Sequence, residues 1–189
     1  MEWNRVKNEF LKSTNNIEIF EKGNITDGNT IMETIVNNTN SIVVNKYLRM
    51  LGTGQNLYEN IFSFNLEVER IFGEKNYIVA YDAFGGLFAS KGTIHYFAPD
   101  RLEWENLEIN YSEFIMWLLS EDIQDFYSAF LWNTREEMLN DLKLGQGILI
   151  YPYLWAKECD IDTAVKKIVP YKEIIEMNGE FYKNFQIQK

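Results

Sequence analysis

Between residues 77 and 97, three runs of strand-forming residues follow one another with almost nothing between them. They are 77–81, 86–89 and 93–97, and Gly85-Gly86 and Lys91-Gly92 supply the turns. A parallel return needs a dozen or more residues of crossover, so connections this short force antiparallel pairing. Upstream, residues 41–44 and 47–51 form two further β-rich runs, a hairpin through Asn45-Lys46. Downstream, residues 147–151 make a strand closed by Pro152.

Helices bracket this sheet. Trp3, Val6, Phe10 and Leu11 recur at helical spacing and form an amphipathic stripe on an opening helix. Residues 17–20 alternate like a short strand. Thr26-Asp27 is read as the cap of a second helix carrying Ile31, Met32, Ile35 and Val36, and the Asn-rich stretch 37–40 as a loop. Gly52-Thr53-Gly54 breaks the sheet run, and a helix spans about residues 57–69. Asn110 with Glu113 has the spacing of a capping box, Ser120 with Glu121-Asp122 restarts a helix, and Thr134 with Glu137 opens a third that Gly145 stops. The tail reads as extended over 165–169 and helical over 171–177. Strands and helices come in runs, without strict βαβα alternation. The expected class is α+β, one domain over residues 1–189 with a mainly antiparallel central sheet and helices packed on it.

Charge narrows the range of partners. With 28 acidic and 18 basic residues the net charge is −10, the opposite of what phosphate backbones or anionic membrane surfaces attract. Neither nucleic acid nor a membrane is expected as a partner. The N-terminus lacks a signal-peptide pattern and no run approaches the roughly 20 apolar residues that span a bilayer, so a cytoplasmic protein is expected. One cysteine, Cys159, and one histidine, His95, exclude an internal disulfide and any multi-imidazole or multi-thiolate metal site. No cofactor or metal is expected. P-loop, dinucleotide, zinc-protease, serine-hydrolase and EF-hand signatures are missing, and Gly52-Thr53-Gly54 reads as a turn because no Lys-Ser/Thr follows it.

Two features carry functional readings. Aromatic residues make up 15% of the chain and crowd between Phe84 and Trp132; most must be core, and some can line an interaction groove. Carboxylates are plentiful, and Asp82 with Glu103 or Glu105 is a candidate acid–base pair, provided the fold brings the two roughly 5–10 Å apart.

The segments YLRMLGTG (47–54), DAFGGLFA (82–89), YFAPDRLEWE (96–105) and YSEFIMW (111–117) resemble, in order and spacing, those of an uncharacterised bacterial family. Its patterns are close to WLRILGSG, DVxGGFFALNGG, VYYFAPDTLxWE and YSDFLxWAL. The resemblance covers about residues 17–169 and implies no activity; the family's glycine stretch after FFALNGG is shortened here to Ser90-Lys91-Gly92. More loosely, a glycine pair beside an acidic residue, then a short strand and a helix of the "sFeefl" type, is similar to the SUKH superfamily of bacterial immunity and scaffold modules, although the Leu-Pro element expected before the glycine signature is missing. That resemblance implies an α+β module that binds a protein partner. The resulting expectation is a non-enzymatic interaction module of immunity-like type, taking a basic protein partner on a face bearing Asp82, Gly85, Gly86, Asp100 and Trp104. The alternative is a carboxylate-dependent hydrolase or a small-ligand-binding protein.

Overall fold

The computed structural model describes residues 1–187. In chain order the elements are α1 (Trp3–Lys12), β1 (Ile17–Glu21), α2 (Ile31–Asn38), β2 (Thr39–Val44), β3 (Leu48–Leu51), α3 (Ile61–Phe72), β4 (Ile78–Asp82), β5 (Leu87–Lys91), β6 (Thr93–Ala98), β7 (Glu103–Asn106), α4 (Tyr111–Leu119), α5 (Asp122–Phe126), α6 (Arg135–Asp141), β8 (Gln146–Tyr151), β9 (Val165–Pro170) and α7 (Tyr171–Ile187). Strands β1 to β7 form a seven-stranded sheet in sequence order, every neighbour antiparallel, and β8 and β9 form a separate two-stranded sheet. The fold class is α+β. The β2–β3 hairpin turns at Asn45 and Lys46, both at positive φ (50° and 67°), the mirror-image geometry that matches the twist of paired strands.

Helices cover both faces of the sheet, which explains why β4 is buried at every position and reads as an apolar run without alternation. Side chains of successive strand residues point to opposite faces. On one face Phe88 meets Phe114 at 5.1 Å and Tyr96 meets Phe126 at 5.0 Å, so α4 and α5 lie there, with α1 and α2 packed beside α4. On the other, Tyr81 stacks on Phe64 at 4.9 Å and Phe97 packs against Phe72 and Tyr182, which places α3 and α7. One continuous buried core runs from Trp3 to Ile175.

Several local expectations need correction. The second helix is capped by Thr30, whose Oγ1 accepts from Glu33 N at 3.1 Å, and not by Thr26-Asp27. The Asn-rich stretch is no loop. Asn37 and Asn38 close α2, and the chain passes directly into β2 because Asn38, 1% exposed, donates to Thr26 O and Thr34 O and accepts from Thr26 N. Leu11 points to solvent at 62% exposure, leaving Trp3, Val6 and Phe10 to bury α1. The third helix starts at Ile61, after Asn60, whose side chain accepts from Phe62 N and Ser63 N, and it stops at Gly73 in a left-handed conformation. Asn110 and Glu113 form the full capping box, whereas Thr134 makes no capping bond to α6. The final helix continues well beyond residue 177. Among the described residues no helix is long and apolar enough to cross a membrane.

Candidate functional site

Asp82 ends β4 and is completely buried. Its Oδ1 accepts from the backbone N–H groups of Phe84 and Gly86, both at 2.9 Å. Its Oδ2 accepts from the phenols of Tyr96 at 2.9 Å and Tyr127 at 2.8 Å. Burial pushes this carboxyl above the usual aspartate range, while the four donors pull the other way. Burial, with the Asp82 charge beside them, drives both phenols far above the ordinary tyrosine value. The four donors satisfy both carboxyl oxygens, and burial still outweighs them in the direction of the shift.

The turn that Asp82 closes is the junction of the molecule. Ala83 N donates to Tyr47 O and Ile148 N donates to Ala83 O, both at 2.7 Å, tying the turn to the β2–β3 hairpin and to β8. Tyr171 Oη and Asn178 Nδ2 from α7 donate to the carbonyls of Gly86 and Gly85. Gly85 has φ +97°, and a Cβ on Gly86 would run into Asp82 Oδ2 and Tyr96 Oη. These glycines therefore let the backbone approach the buried carboxylate.

The five residues expected to share a face are accordingly divided. Asp82, Gly85 and Gly86 are buried, and form the inside of a turn. Asp100 and Trp104 are partly exposed. Asp100 lies 4.0 Å from Arg101, which also donates to Glu105 at 2.6 Å. Trp104 sits on the edge strand β7, packs against Phe72 and Phe97, donates from Nε1 to Glu74 at 2.6 Å and carries the Lys91 ammonium 5.2 Å from its ring. Asp82 is not brought into a cleft with Glu103 or Glu105. It has no exposure, and β4 and β7 are three strand spacings apart, about 14 Å. His95 is partly buried on β6 with burial lowering its pKa, and Cys159 is partly buried with burial raising its pKa. Among the described residues no group of three or more His, Cys, Asp or Glu is placed to hold a metal ion.

The charge of the chain is gathered in one place. Residues 100–141 contain eleven acidic side chains and two basic ones, Arg101 and Arg135, so this stretch carries all but one unit of the net −10. It comprises β7, α4, α5 and α6. Glu108, Glu113, Glu121, Asp122, Asp125, Glu136, Glu137 and Asp141 are exposed along it. The buried sides of α4 and α5 hold Phe114, Ile115, Leu118 and Ile123 against the sheet, so the carboxylates form the outer surface of that layer. A count of charge along windows of the sequence carries this signal; the net charge and the single motifs do not.

The chain has relatives among known proteins. It is 36% identical over 101 residues to "Putative uncharacterized protein YbfG" of Escherichia coli (strain K12), a match covering 53% of this chain and 46% of that protein. It is 29% identical over 138 residues to an "Uncharacterized protein" of Haemophilus influenzae (strain ATCC 51907 / DSM 11121 / KW20 / Rd), covering 65% of this chain and 60% of that one. The matches thus span about half of the relatives' own length. No solved structure matches the chain. The family described as "Protein of unknown function DUF2625" matches residues 2–174, and the chain belongs to that family.

Proposed function

We propose that this chain is a non-enzymatic binding module of immunity-like type that captures a basic protein partner on the acidic surface of β7, α4, α5 and α6. The observation that carries the reading is the charge segregation: nearly the whole net charge lies on one stretch whose carboxylates point outward. Charges gathered in this way sum to a local potential that speeds encounter with an oppositely charged partner and repels like-charged ones. Asp100 and Trp104 flank this surface on β7, while Asp82, Gly85 and Gly86 serve it from inside by holding the turn. The module works as one domain in the cytoplasm, and its partner is neither nucleic acid nor membrane, since both would meet repulsion.

The test is affinity capture from a lysate of the source organism, followed by titration of the purified partner at rising salt. The charge-reversed variant Glu121→Lys/Asp125→Lys/Glu137→Lys is compared with the parent after circular dichroism has verified its fold. The expected result is a basic partner whose association rate falls steeply with salt and collapses in the variant. Unchanged capture by the variant, or a partner with no basic surface, refutes the reading.

A further inference from the structure

A second feature lies where the acidic layer meets the β2–β3 hairpin. The tip of the β2–β3 hairpin, together with α5 and the first turn of α6, surrounds a hollow of about 240 Å³. Leu131 and Leu139 supply apolar wall, and the remaining lining is polar. The polar groups are unusual in what they leave unused. Tyr47 is 5% exposed, and its hydroxyl oxygen accepts from Asn45 Nδ2 at 3.4 Å. Its own proton has no acceptor among the described residues. Arg135 donates to Trp132 O at 3.0 Å and forms no ion pair among the described residues, although it sits in the most acidic part of the chain. Lys46 likewise has no carboxylate partner among them and donates to Asn140 Oδ1. It also occupies a left-handed turn position that glycine usually fills.

A phenol, a guanidinium and an ammonium with donors to spare converge on one hollow in a protein of net charge −10. The buried Tyr47 hydroxyl requires an acceptor, and with two cations beside it an acceptor that carries negative charge satisfies all three groups. The guanidinium fork matches a planar carboxylate through two parallel bonds. Glu136 on the same lining disfavours a ligand with a second negative charge nearby. We propose that the hollow binds a small organic acid by its carboxylate, held by Arg135, Tyr47 and Lys46, with the acid's short carbon chain against Leu131 and Leu139. The hollow borders the protein-binding surface on α5 and α6, and it differs in holding its ligand through basic and apolar side chains.

The experiment is a thermal-shift and calorimetric titration at fixed ionic strength. A panel of organic acids of roughly two to six carbons, the size such a hollow admits, is run beside inorganic phosphate and chloride. Saturable binding of at least one monocarboxylate is expected at up to about 20 mM. Arg135→Gln and Tyr47→Phe should each weaken it about tenfold, the scale of a charge-assisted hydrogen bond. The variant Glu121→Lys/Asp125→Lys/Glu137→Lys should bind the acid at least as tightly as the parent does, since it removes negative charge beside the hollow, whatever happens to protein capture. Should Arg135→Gln fail to fold, Arg135→Lys, which keeps the charge and loses the fork, replaces it. No saturable binding by any acid overturns the proposal, as does equal affinity in the Arg135 and Tyr47 variants. Binding of phosphate alone overturns the assignment of the ligand as a carboxylate.

Discussion

Replacing Asp82 with alanine removes the acceptor of four buried donors at once: Phe84 N, Gly86 N, Tyr96 Oη and Tyr127 Oη. The site is closed to bulk solvent, since Asp82 is 0% exposed and both tyrosines are at most 2% exposed. Each orphaned donor costs about 1–3 kcal/mol. With partial relaxation the sum is about 4–8 kcal/mol, comparable to the whole stability of a domain, about 5–15 kcal/mol. Asp82→Ala should therefore be largely unfolded, or close to it, at 25 °C. Asp82→Asn keeps an oxygen for the two backbone N–H groups and presents an amide to the phenols, which must reorient to accept, so it should cost only about 1–3 kcal/mol. Urea denaturation at pH 7, followed by tryptophan fluorescence and far-ultraviolet circular dichroism, measures both. A double-mutant cycle with Tyr127→Phe then isolates the carboxylate–phenol bond, with a coupling of about 0.5–3 kcal/mol. The pH dependence gives an independent check. Burial holds the native carboxyl above its ordinary 3.8. Between the two values the native state binds more protons than the unfolded chain, so this group's contribution to stability is full below 3.8 and is lost as pH rises through the native value. Asp82→Asn should flatten that part of the profile. A cost below about 1 kcal/mol for Asp82→Ala would refute the argument that this carboxylate holds the turn.

Two further outcomes follow from the same geometry. Gly86→Ala should destabilise by about 1–3 kcal/mol or more, because its Cβ meets Asp82 and Tyr96 in a filled core, whereas Gly23→Ala, with open space around it, should be neutral or slightly stabilising in the same denaturation assay. Glu67, on α3, is held down to about 2 first by its hydrogen bond to Arg70 and then by Lys172 of α7; its contribution is present above the ordinary 4.5 and is lost as pH falls toward about 2. Acid titration of stability should show this loss, with Glu67→Gln flattening it and about 1 M salt shrinking it, since these groups lie near solvent.

Three of the five residues that the sequence motifs nominated as a contact face lie inside the protein. The reason is instructive: an acidic residue four positions before the second of two glycines can mark a ligand loop or a side chain that caps its own turn, and both need glycine for close backbone approach. The four donors around Asp82 decide for the turn. Tyr127, which supplies one of them, is 45 residues away in the chain, so no local pattern could have revealed the arrangement. Asn38 is a similar case, polar by composition and yet buried because its amide closes three hydrogen bonds to neighbouring backbone.

Local physics in the chain determined the antiparallel meander, since glycine turns of a few residues allow no other pairing, and it determined the helices at Asn110 and Trp3 through capping and periodicity. Only the tertiary structure decided that α3 and α7 take one face and α4 and α5 the other, that Asp82 is sealed beneath two phenols, and that Tyr47, Lys46 and Arg135 converge on one hollow. These last facts depend on contacts between residues from about 14 to 90 positions apart. Such contacts are set by how layers dock, and docking responds to the summed shape and burial of whole elements, with no counterpart in any short stretch of sequence.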